Sequence, residues 1–293
     1  MSSKIVVIGG AAAGPKTAAK ARRMDPDAEI VLLQKADNLS MASCGYPYFV
    51  GGLFDEELKL ICTPTGVPRD PAFFFNTKAI KALVGTEVTK IDRQSKKVSA
   101  RNVHTGEVMD EQYDKLVIAT GASPVIPPIP GTDLKGVTNL HSLEDARLLK
   151  QLVSTKSIQH AVVIGGGLIG IETAEAMGLG GINVTVVERE ANILTFLDPE
   201  MAMHVQNHMT SKGAKMVTGT SVTEIIGKDG KVSAVRLSDN SELPCDLVLV
   251  AIGVKPNVKL AREAGLEIGD TGGITTNEFM QTSDPDIYAA GDC

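Results

Sequence analysis

The chain has 293 residues, of which 43% are hydrophobic, and carries a formal net charge of −6. This length predicts two domains with their own cores, and the negative charge argues against a nucleic-acid partner. No apolar stretch reaches the length of a transmembrane helix, which argues against a membrane partner. Because the first predicted strand leaves no room for a signal peptide, we expect a cytoplasmic protein. Four widely spaced cysteines and five scattered histidines predict no metal site.

The first predicted unit is a strand, a glycine turn, a helix and a second strand. An apolar run at residues 5–8 precedes Gly9–Gly14, an alanine-rich helix follows, and an apolar run at 30–33 ends at Gln34. This is the dinucleotide-binding fingerprint, in which N–H groups at a helix N-terminus bind a pyrophosphate and a later polar residue binds a ribose. For one copy alone, a glycine turn in an unrelated α/β fold is the alternative.

A cysteine follows this unit in the segment SMASCGYPYFVGG, residues 40–52. In a doubly wound sheet, ligands bind at the carboxyl ends of the strands, where this segment emerges. The Cys44 thiol, which follows Ser43, is a candidate nucleophile there. A small buried residue without a chemical role is the alternative.

The same order of elements occurs twice. Alternating residues at 87–103 predict an antiparallel meander, and an almost continuously apolar strand follows at 116–121. Residues 161–188 repeat the strand, glycine turn, helix and strand, and a second meander and apolar strand lie within 222–253. The sequence therefore predicts an α/β fold of two Rossmann-like three-layer domains, each with an inserted antiparallel β-meander. Two fingerprints imply two nucleotides and electron transfer between them.

Several motifs together resemble the flavoprotein pyridine nucleotide–disulfide oxidoreductases. In chain order these are GGAAAG, SMASCGYPYFVGG, IATGASP, VVIGGGLIGIE, LVAIGVKPN and TSDPDIYAAGDC. The chain is most similar to the single-cysteine branch, which holds coenzyme A disulfide reductases, persulfide-reducing relatives, and NADH oxidases and peroxidases. The resemblance implies an FAD-binding domain over 1–148 and 254–293, with an NAD(H)-binding domain over 149–253.

The resemblance also implies roles for individual residues, with Cys44 as the redox-active cysteine beside the flavin. The residues implied to hold FAD are Gly9, Gly10, Ala12, Ala13, Gly14, Gln34, Lys35, Ser43, Val88, Thr120, Gly121 and Asp292. The residues implied to hold the nicotinamide dinucleotide are Gly165, Gly167, Leu168, Ile169, Gly170, Glu188 and Gly253. Since the Glu188 carboxylate repels a 2′-phosphate, NADH is favoured over NADPH, although the neighbouring Arg189 has the opposite charge.

Two features bear on the electron acceptor. Lys16, Lys20 and Arg23 form one basic face of the first helix, and the resemblance implies that this face and Ser40 hold coenzyme A; a solvated helix face is the alternative. Ala12 stands where peroxidases and water-forming oxidases of the family carry a histidine, which disfavours peroxide chemistry.

Three departures from the family pattern either argue against coenzyme A disulfide as the substrate or weaken the predicted FAD site and its activity. Gln34 replaces the usual acid and loses a charge-assisted hydrogen bond. Ser43 stands where coenzyme A reductases often carry asparagine and the oxidases carry serine. Family members continue beyond the position of Cys293 into a domain that forms a homodimer, so we expect weak FAD retention and poor disulfide turnover from this sequence.

The sequence thus predicts an FAD-dependent NADH:disulfide oxidoreductase that acts on coenzyme A disulfide or a related persulfide through Cys44. The enzymatic alternative is an NADH oxidase that forms peroxide or water. The alternative from another class is a truncated, non-catalytic FAD/NAD-binding module. A yellow preparation that NADH bleaches favours an enzyme over the module.

Overall fold

The computed structural model describes residues 3–293. The helices are α1 (Ala13–Met24), α2 (Tyr46–Val50), α3 (Pro71–Lys78), α4 (Leu143–Ser154), α5 (Leu168–Leu179), α6 (Pro199–Ser211) and α7 (Lys259–Glu263), with 3₁₀ turns at Ser43–Gly45 and Glu57–Leu60. The strands are β1 (Lys4–Ile8), β2 (Glu29–Leu33), β3 (Ile80–Leu83), β4 (Thr86–Asp92), β5 (Lys97–Asn102), β6 (Val108–Gln112), β7 (Lys115–Ile118), β8 (Ala122–Pro124), β9 (Val137–Thr138), β10 (His160–Ile164), β11 (Asn183–Val187), β12 (Lys215–Val217), β13 (Val222–Lys228), β14 (Lys231–Leu237), β15 (Glu242–Pro244), β16 (Leu247–Val250), β17 (Val254–Pro256) and β18 (Ile287–Ala289). Within the described residues, no helix is long and apolar enough to cross a bilayer.

Each half is built on a five-stranded parallel sheet. The first sheet has the order β18-β7-β1-β2-β3, and the second has the order β9-β16-β10-β11-β12. The strand before each glycine turn, β1 or β10, therefore lies at the centre, between the strand after the helix and the strand after the meander. This arrangement confirms the predicted fold class.

The alternating strand residues of the first sheet pack into two different layers. Val7, Ile30 and Leu32 face α1 and α3, where Ala18 and Phe74 complete the core. The neighbouring residues on the same strands, among them Val6 and Val31, face the meander of β4, β5 and β6 and helix α7. Because both faces are buried, β1, β2 and β7 are apolar after their first residue, as the sequence pattern indicated.

The meanders form the predicted antiparallel pairs. β4 pairs with β5 and β5 with β6, while β13 pairs with β14 and β14 with β15. The apolar strands that follow are shorter than their sequence runs, since β7 ends at Ile118 and β16 at Val250. Ala119 after β7 and Ala251 after β16 still donate a hydrogen bond to the last residue of the central strand, β1 or β10. The chain then leaves the sheet towards the glycine turn.

The chain divides into two compact units. The first comprises the described residues up to Ala42, Glu57–Ser123 and Lys255–Cys293, and the second comprises Ser43–Glu56 and Pro124–Val254. β9 belongs to the second sheet, although it precedes the predicted boundary at residue 149. Which nucleotide each unit binds, and hence the predicted domain limits, stays a prediction.

Candidate functional site

The first glycine turn packs against the protein so closely that side chains are excluded. Gly9 has a φ of +108°, and a Cβ there would lie 2.0 Å from the carbonyl oxygen of Ala119. A Cβ on Gly14 would lie 1.8 Å from the carbonyl oxygen of Gly9. Glycine at both positions lets the strand, turn and helix approach one another, which is its role in the dinucleotide-binding fingerprint.

In both halves, the residue after the second strand bonds to the glycine turn. The Gly10 N–H donates to Gln34 Oε1 at 2.8 Å, and the Gly166 N–H donates to Glu188 Oε2 at 2.6 Å. Gln34 also donates from Nε2 to the Asn38 carbonyl at 3.3 Å. Gln34 therefore preserves the turn geometry of the usual acid without its negative charge.

Residues predicted to bind coenzyme A and residues predicted to bind FAD lie beside the start of α1. The Ser40 N–H donates to the Gly10 carbonyl at 2.8 Å, which places the basic helix and Ser40 next to the same turn. A Cβ on Gly291 would lie 3.0 Å from Ala13 Cβ. The segment that carries Asp292 therefore passes beside the first residue of α1.

Three predicted flavin-site side chains are instead engaged within the protein. Lys35 Nζ lies 2.9 Å from a Glu87 carboxylate oxygen. The Thr120 hydroxyl donates to the Asn257 carbonyl at 2.7 Å, and Asn257 Nδ2 donates back to the Thr120 carbonyl at 3.0 Å. Val88 is buried in the core of the meander layer. Whether Lys35, Thr120 and Val88 contact a flavin stays a prediction.

The helices after the two glycine turns lack side-chain caps. Ala12 precedes α1 and Gly167 precedes α5, and neither helix has an acidic residue in its first turn. By contrast, Asp70 caps α3, and Ser142 with Asp145 forms a capping box on α4. Because uncapped N–H groups and the helix dipole favour an anion, the starts of α1 and α5 fit the pyrophosphates of two dinucleotides.

A cavity of about 820 Å³ lies within the second unit at the carboxyl ends of its strands. The predicted nicotinamide-site residues that line it are Gly165, Gly167, Leu168, Ile169, Glu188 and Gly253. Gly170 does not line this cavity. A Cβ there would lie 2.1 Å from the Gly165 carbonyl oxygen, so glycine lets α5 pack closely against the turn. A Cβ on Gly167 would meet no atom within 4 Å, so the backbone at this point is open to a ligand.

Cys44 lies in the 3₁₀ turn before α2 and is exposed. Of the other thiols, Cys62 is half-buried, and Cys245 and Cys293 are buried. Burial raises the pKa of the Cys245 thiol to about 12, with the Asp246 carboxylate adding to the effect, so this thiol stays protonated and unreactive at neutral pH. The exposure of Cys44 excludes the alternative of a buried structural cysteine.

Lys16, Lys20 and Arg23 are exposed on α1. Within residues 3–293, none of their side chains makes an ion pair or a hydrogen bond to another residue. Arg22 on the same helix is different, because its guanidinium donates to the carbonyls of Lys78 and Ala79 at 3.1 and 2.9 Å. The three exposed cations therefore remain available to an anionic ligand. In the described part of the chain, no three His, Cys, Asp or Glu side chains converge as they would around a metal ion.

A family model described as pyridine nucleotide-disulphide oxidoreductase matches residues 3–293. The chain belongs to this family. This match agrees with the family resemblance that the sequence motifs show. It also agrees with the fold, in which each glycine turn follows the central strand of a five-stranded sheet.

Other members of the pyridine nucleotide-disulphide oxidoreductase family are similar to almost the whole chain. The NADH oxidase of Methanocaldococcus jannaschii is 37% identical over 99% of this chain, and the NAD(P)H coenzyme A polysulfide/persulfide reductase of Pyrococcus horikoshii is 35% identical over 100%. The chain spans 63% of the length of each of these curated relatives.

Two solved structures of family members share the fold closely. The NAD-dependent persulfide reductase from A. fulgidus is 44% identical with a TM-score of 0.94, and covers 99% of this chain and 53% of its own. The reduced CoADR-RHD of Bacillus anthracis is 37% identical with a TM-score of 0.92, and covers 100% of this chain and 51% of its own.

Within each unit of this family member, sequence reasoning left supporting contacts unassigned. Asn257 binds Thr120 and also accepts a hydrogen bond from Ser123 Oγ at 2.8 Å. The VKPN motif that contains Asn257 was a signal, but it did not indicate the partner. Sequence reasoning took account of the charge of Arg189 but not of its partner Glu190. Both residues line the cavity, and they form an ion pair whose shorter contact is 2.9 Å.

Proposed function

We propose that this chain is an FAD-dependent oxidoreductase that uses NADH to reduce coenzyme A disulfide or a related persulfide at Cys44. The observation that carries the proposal is the exposure of the Cys44 thiol, in contrast to the more buried Cys62, Cys245 and Cys293. The persulfide reductases among its relatives support this choice of acceptor.

The residues of the two turns fit the two nucleotides. Gly9, Gly14 and Gln34 would hold the adenosine and pyrophosphate of FAD, with Asp292 towards its ribityl chain. The cavity beside Gly167 would hold the dinucleotide of NADH. When bound, the flavin supplies the two-electron chemistry that connects NADH with a sulfur atom and that no side chain provides.

The part played by Cys44 is nucleophilic. Its thiolate attacks one sulfur of the substrate disulfide; a new S–S bond forms, the substrate S–S bond breaks, and the other half leaves as a thiolate that takes up a proton. Two electrons derived from NADH then reduce the mixed disulfide, which returns the Cys44 thiolate and releases the second thiol. One protein cysteine suffices because the substrate contributes the second sulfur.

Removal of the basic face of α1 tests the coenzyme A assignment. In a Lys16→Gln, Lys20→Gln, Arg23→Gln variant, we expect the KM for coenzyme A disulfide to rise about three- to tenfold at low salt, since each exposed ion pair contributes little. The KM for pantethine, which lacks the phosphates, should stay unchanged. If the KM values for both disulfides change equally in steady-state assays, this face is only solvated and does not bind coenzyme A.

The Arg189–Glu190 pair bears on the choice of NADH over NADPH. Arg189 Nε and Nη2 both donate to Glu190 Oε1, at 3.1 and 2.9 Å, so the Glu190 carboxylate partly offsets the charge of Arg189 beside the predicted ribose site. We expect Glu190→Gln to raise the kcat/KM ratio of NADPH to NADH about two- to fivefold, as suits an exposed pair. Arg189→Gln should lower this ratio. If neither variant changes this kcat/KM ratio, the Arg189–Glu190 pair does not face the ribose.

An NADH oxidase is the second candidate. Ser43 beside Cys44 favours it, as do the relatives named NADH oxidase from Methanocaldococcus jannaschii and Enterococcus faecalis. Ala12 is exposed at the start of α1 and offers no acid or base, which favours the disulfide reductase. NADH consumption with coenzyme A disulfide, persulfide or oxygen as the acceptor tests the two functions, and a rate that is highest with oxygen would overturn our proposal.

The homodimer, the weak FAD retention and the cytoplasmic location stay predictions. Sedimentation of the purified chain measures the first. The ratio of flavin to protein absorbance after gel filtration measures the second.

A further inference from the structure

Cys44 is carried by a segment that cannot hold its conformation alone. α2 has five residues, its N-cap Gly45 makes no side-chain hydrogen bond, and Gly51 and Gly52 follow it. Gly52 has a φ of +78°, which ends the helix. Because helices of this length do not persist in water, the position of the segment depends on contacts with the rest of its unit.

Lys150 of α4 makes a concentrated set of such contacts. Its ammonium donates to the carbonyls of Phe49 and Phe54, both at 3.0 Å, and to Asp55 Oδ1 at 2.9 Å. It also lies 4.4 Å from the centroid of the Phe49 ring, which packs against the Phe54 ring at 5.7 Å. All three N–H donors of the ammonium are thereby used, and they join the end of α2 to the loop that follows it.

The burial of Lys150 makes these contacts consequential. Its side chain is 20% exposed, whereas the Asp55 side chain is 87% exposed. The Phe49 carbonyl belongs to the last turn of α2, where a cation is stabilised by the helix dipole. If the ammonium is removed, the Phe54 carbonyl loses the Lys150 donor, and the Phe49 carbonyl keeps the weaker hydrogen bond from the Gly52 N–H at 3.2 Å. This loss is larger than that of a surface ion pair.

The other contacts of α2 are apolar and less directional. Tyr46 is buried, and this burial, with the carboxylates of Glu144 and Asp145, raises the pKa of its phenol to about 12. A Cβ on Gly51 would lie 3.2 Å from the Cα of Ala176 in α5. These contacts hold α2 against its neighbours, while the hydrogen bonds of Lys150 fix the position of its last turn and of the loop that follows.

We propose that Lys150 is a positioning residue for Cys44, because it anchors the end of α2 and the loop 51–55 and so fixes the thiol at the other end of this short segment. The inference rests on the proposed function, which gives Cys44 its redox role. Without the anchor, the thiolate reaches the substrate sulfur in fewer productive orientations. Electron transfer to an artificial dye, which bypasses Cys44, is unaffected.

The test compares Lys150→Met with Lys156→Met, which removes the same charge from an exposed lysine just after α4. We expect amide hydrogen exchange in peptides covering residues 44–56 to become about tenfold faster in Lys150→Met only. NADH-dependent reduction of coenzyme A disulfide should fall about ten- to hundredfold, since small misplacement of a reacting group has effects of this size. NADH-dependent reduction of ferricyanide should equal that of Lys156→Met. Lys150→Arg should retain part of the disulfide activity. If Lys150→Met does not fold, Lys150→Arg serves as the test, and we expect it to show faster exchange and slower disulfide reduction with unchanged ferricyanide reduction, all with smaller effects.

Two results overturn the inference. One is exchange at residues 44–56 that is equal in Lys150→Met and Lys156→Met. The other is a parallel fall of disulfide and ferricyanide reduction, which marks a general structural role. A Cys44→Ser variant separates the two proposals: if it reduces coenzyme A disulfide normally, the proposed function fails whatever Lys150→Met does. If Cys44→Ser is inactive and Lys150→Met matches its control, only the positioning role fails.

Discussion

Cys44→Ser is expected to lower NADH-dependent reduction of coenzyme A disulfide by about 10³-fold or more, the scale seen when a covalent nucleophile is removed. A serine hydroxyl is not ionised at neutral pH and forms no disulfide with the substrate. Since residue 44 is exposed on a 3₁₀ turn, serine fits without a cavity or an unpaired buried group. The melting temperature should therefore stay unchanged.

Ferricyanide reduction is the internal control for this variant. It needs NADH and the flavin but no sulfur, so we expect Cys44→Ser to retain it. Cys62→Ser is the matched variant at a half-buried thiol, and it should keep both activities. Normal disulfide turnover in Cys44→Ser, with both activities measured under anaerobic conditions, would contradict the mechanism.

Gly167→Asp is expected to have opposite effects on stability and on NADH binding. Gly167 is the N-cap of α5, its φ is −76°, and a Cβ there would meet no atom within 4 Å. An aspartate should therefore cap the helix and stabilise the protein by about a few tenths of a kcal/mol. The same carboxylate would stand where we place the pyrophosphate, and because juxtaposed like charges cost several kcal/mol, the Kd for NADH should rise at least about a hundredfold.

Gly167→Asn separates charge from shape. Asparagine caps a helix as well as aspartate and has nearly the same size, but it carries no charge. We expect its Kd for NADH, measured by calorimetry, to lie between those of the wild type and Gly167→Asp. An unchanged Kd in Gly167→Asp, with the protein still folded, would show that the second glycine turn does not bind the pyrophosphate.

The parts of the fold that the sequence predicts are those set by local pattern. The two glycine turns lie between a strand and a helix as expected. The backbone at Gly9 and Gly165 has a φ near +108° and approaches a carbonyl too closely for any side chain, so these turns require glycine and the sequence marks them. The meanders follow from alternation of apolar and polar residues. The edge strands β9 and β18 are two or three residues long, and no periodicity can reveal elements of that length.

The supporting residues of the candidate site depend on contacts between distant positions. Lys150 binds the carbonyl of Phe49, 101 residues away, and Asn257 binds Thr120 across 137 residues. Neither lysine nor asparagine is unusual in its own segment, so nothing local marks it. Likewise, the pairing of Arg189 with Glu190 needs side-chain geometry, since the sequence shows only that opposite charges are neighbours.

Anaerobic titration of the flavin-loaded chain tests the central claim most directly. We predict that NADH bleaches the flavin absorbance and that coenzyme A disulfide then restores it in the wild type but not in Cys44→Ser. A flavin that NADH does not bleach, or one that coenzyme A disulfide reoxidises equally well in both proteins, would contradict the path from NADH through FAD to Cys44.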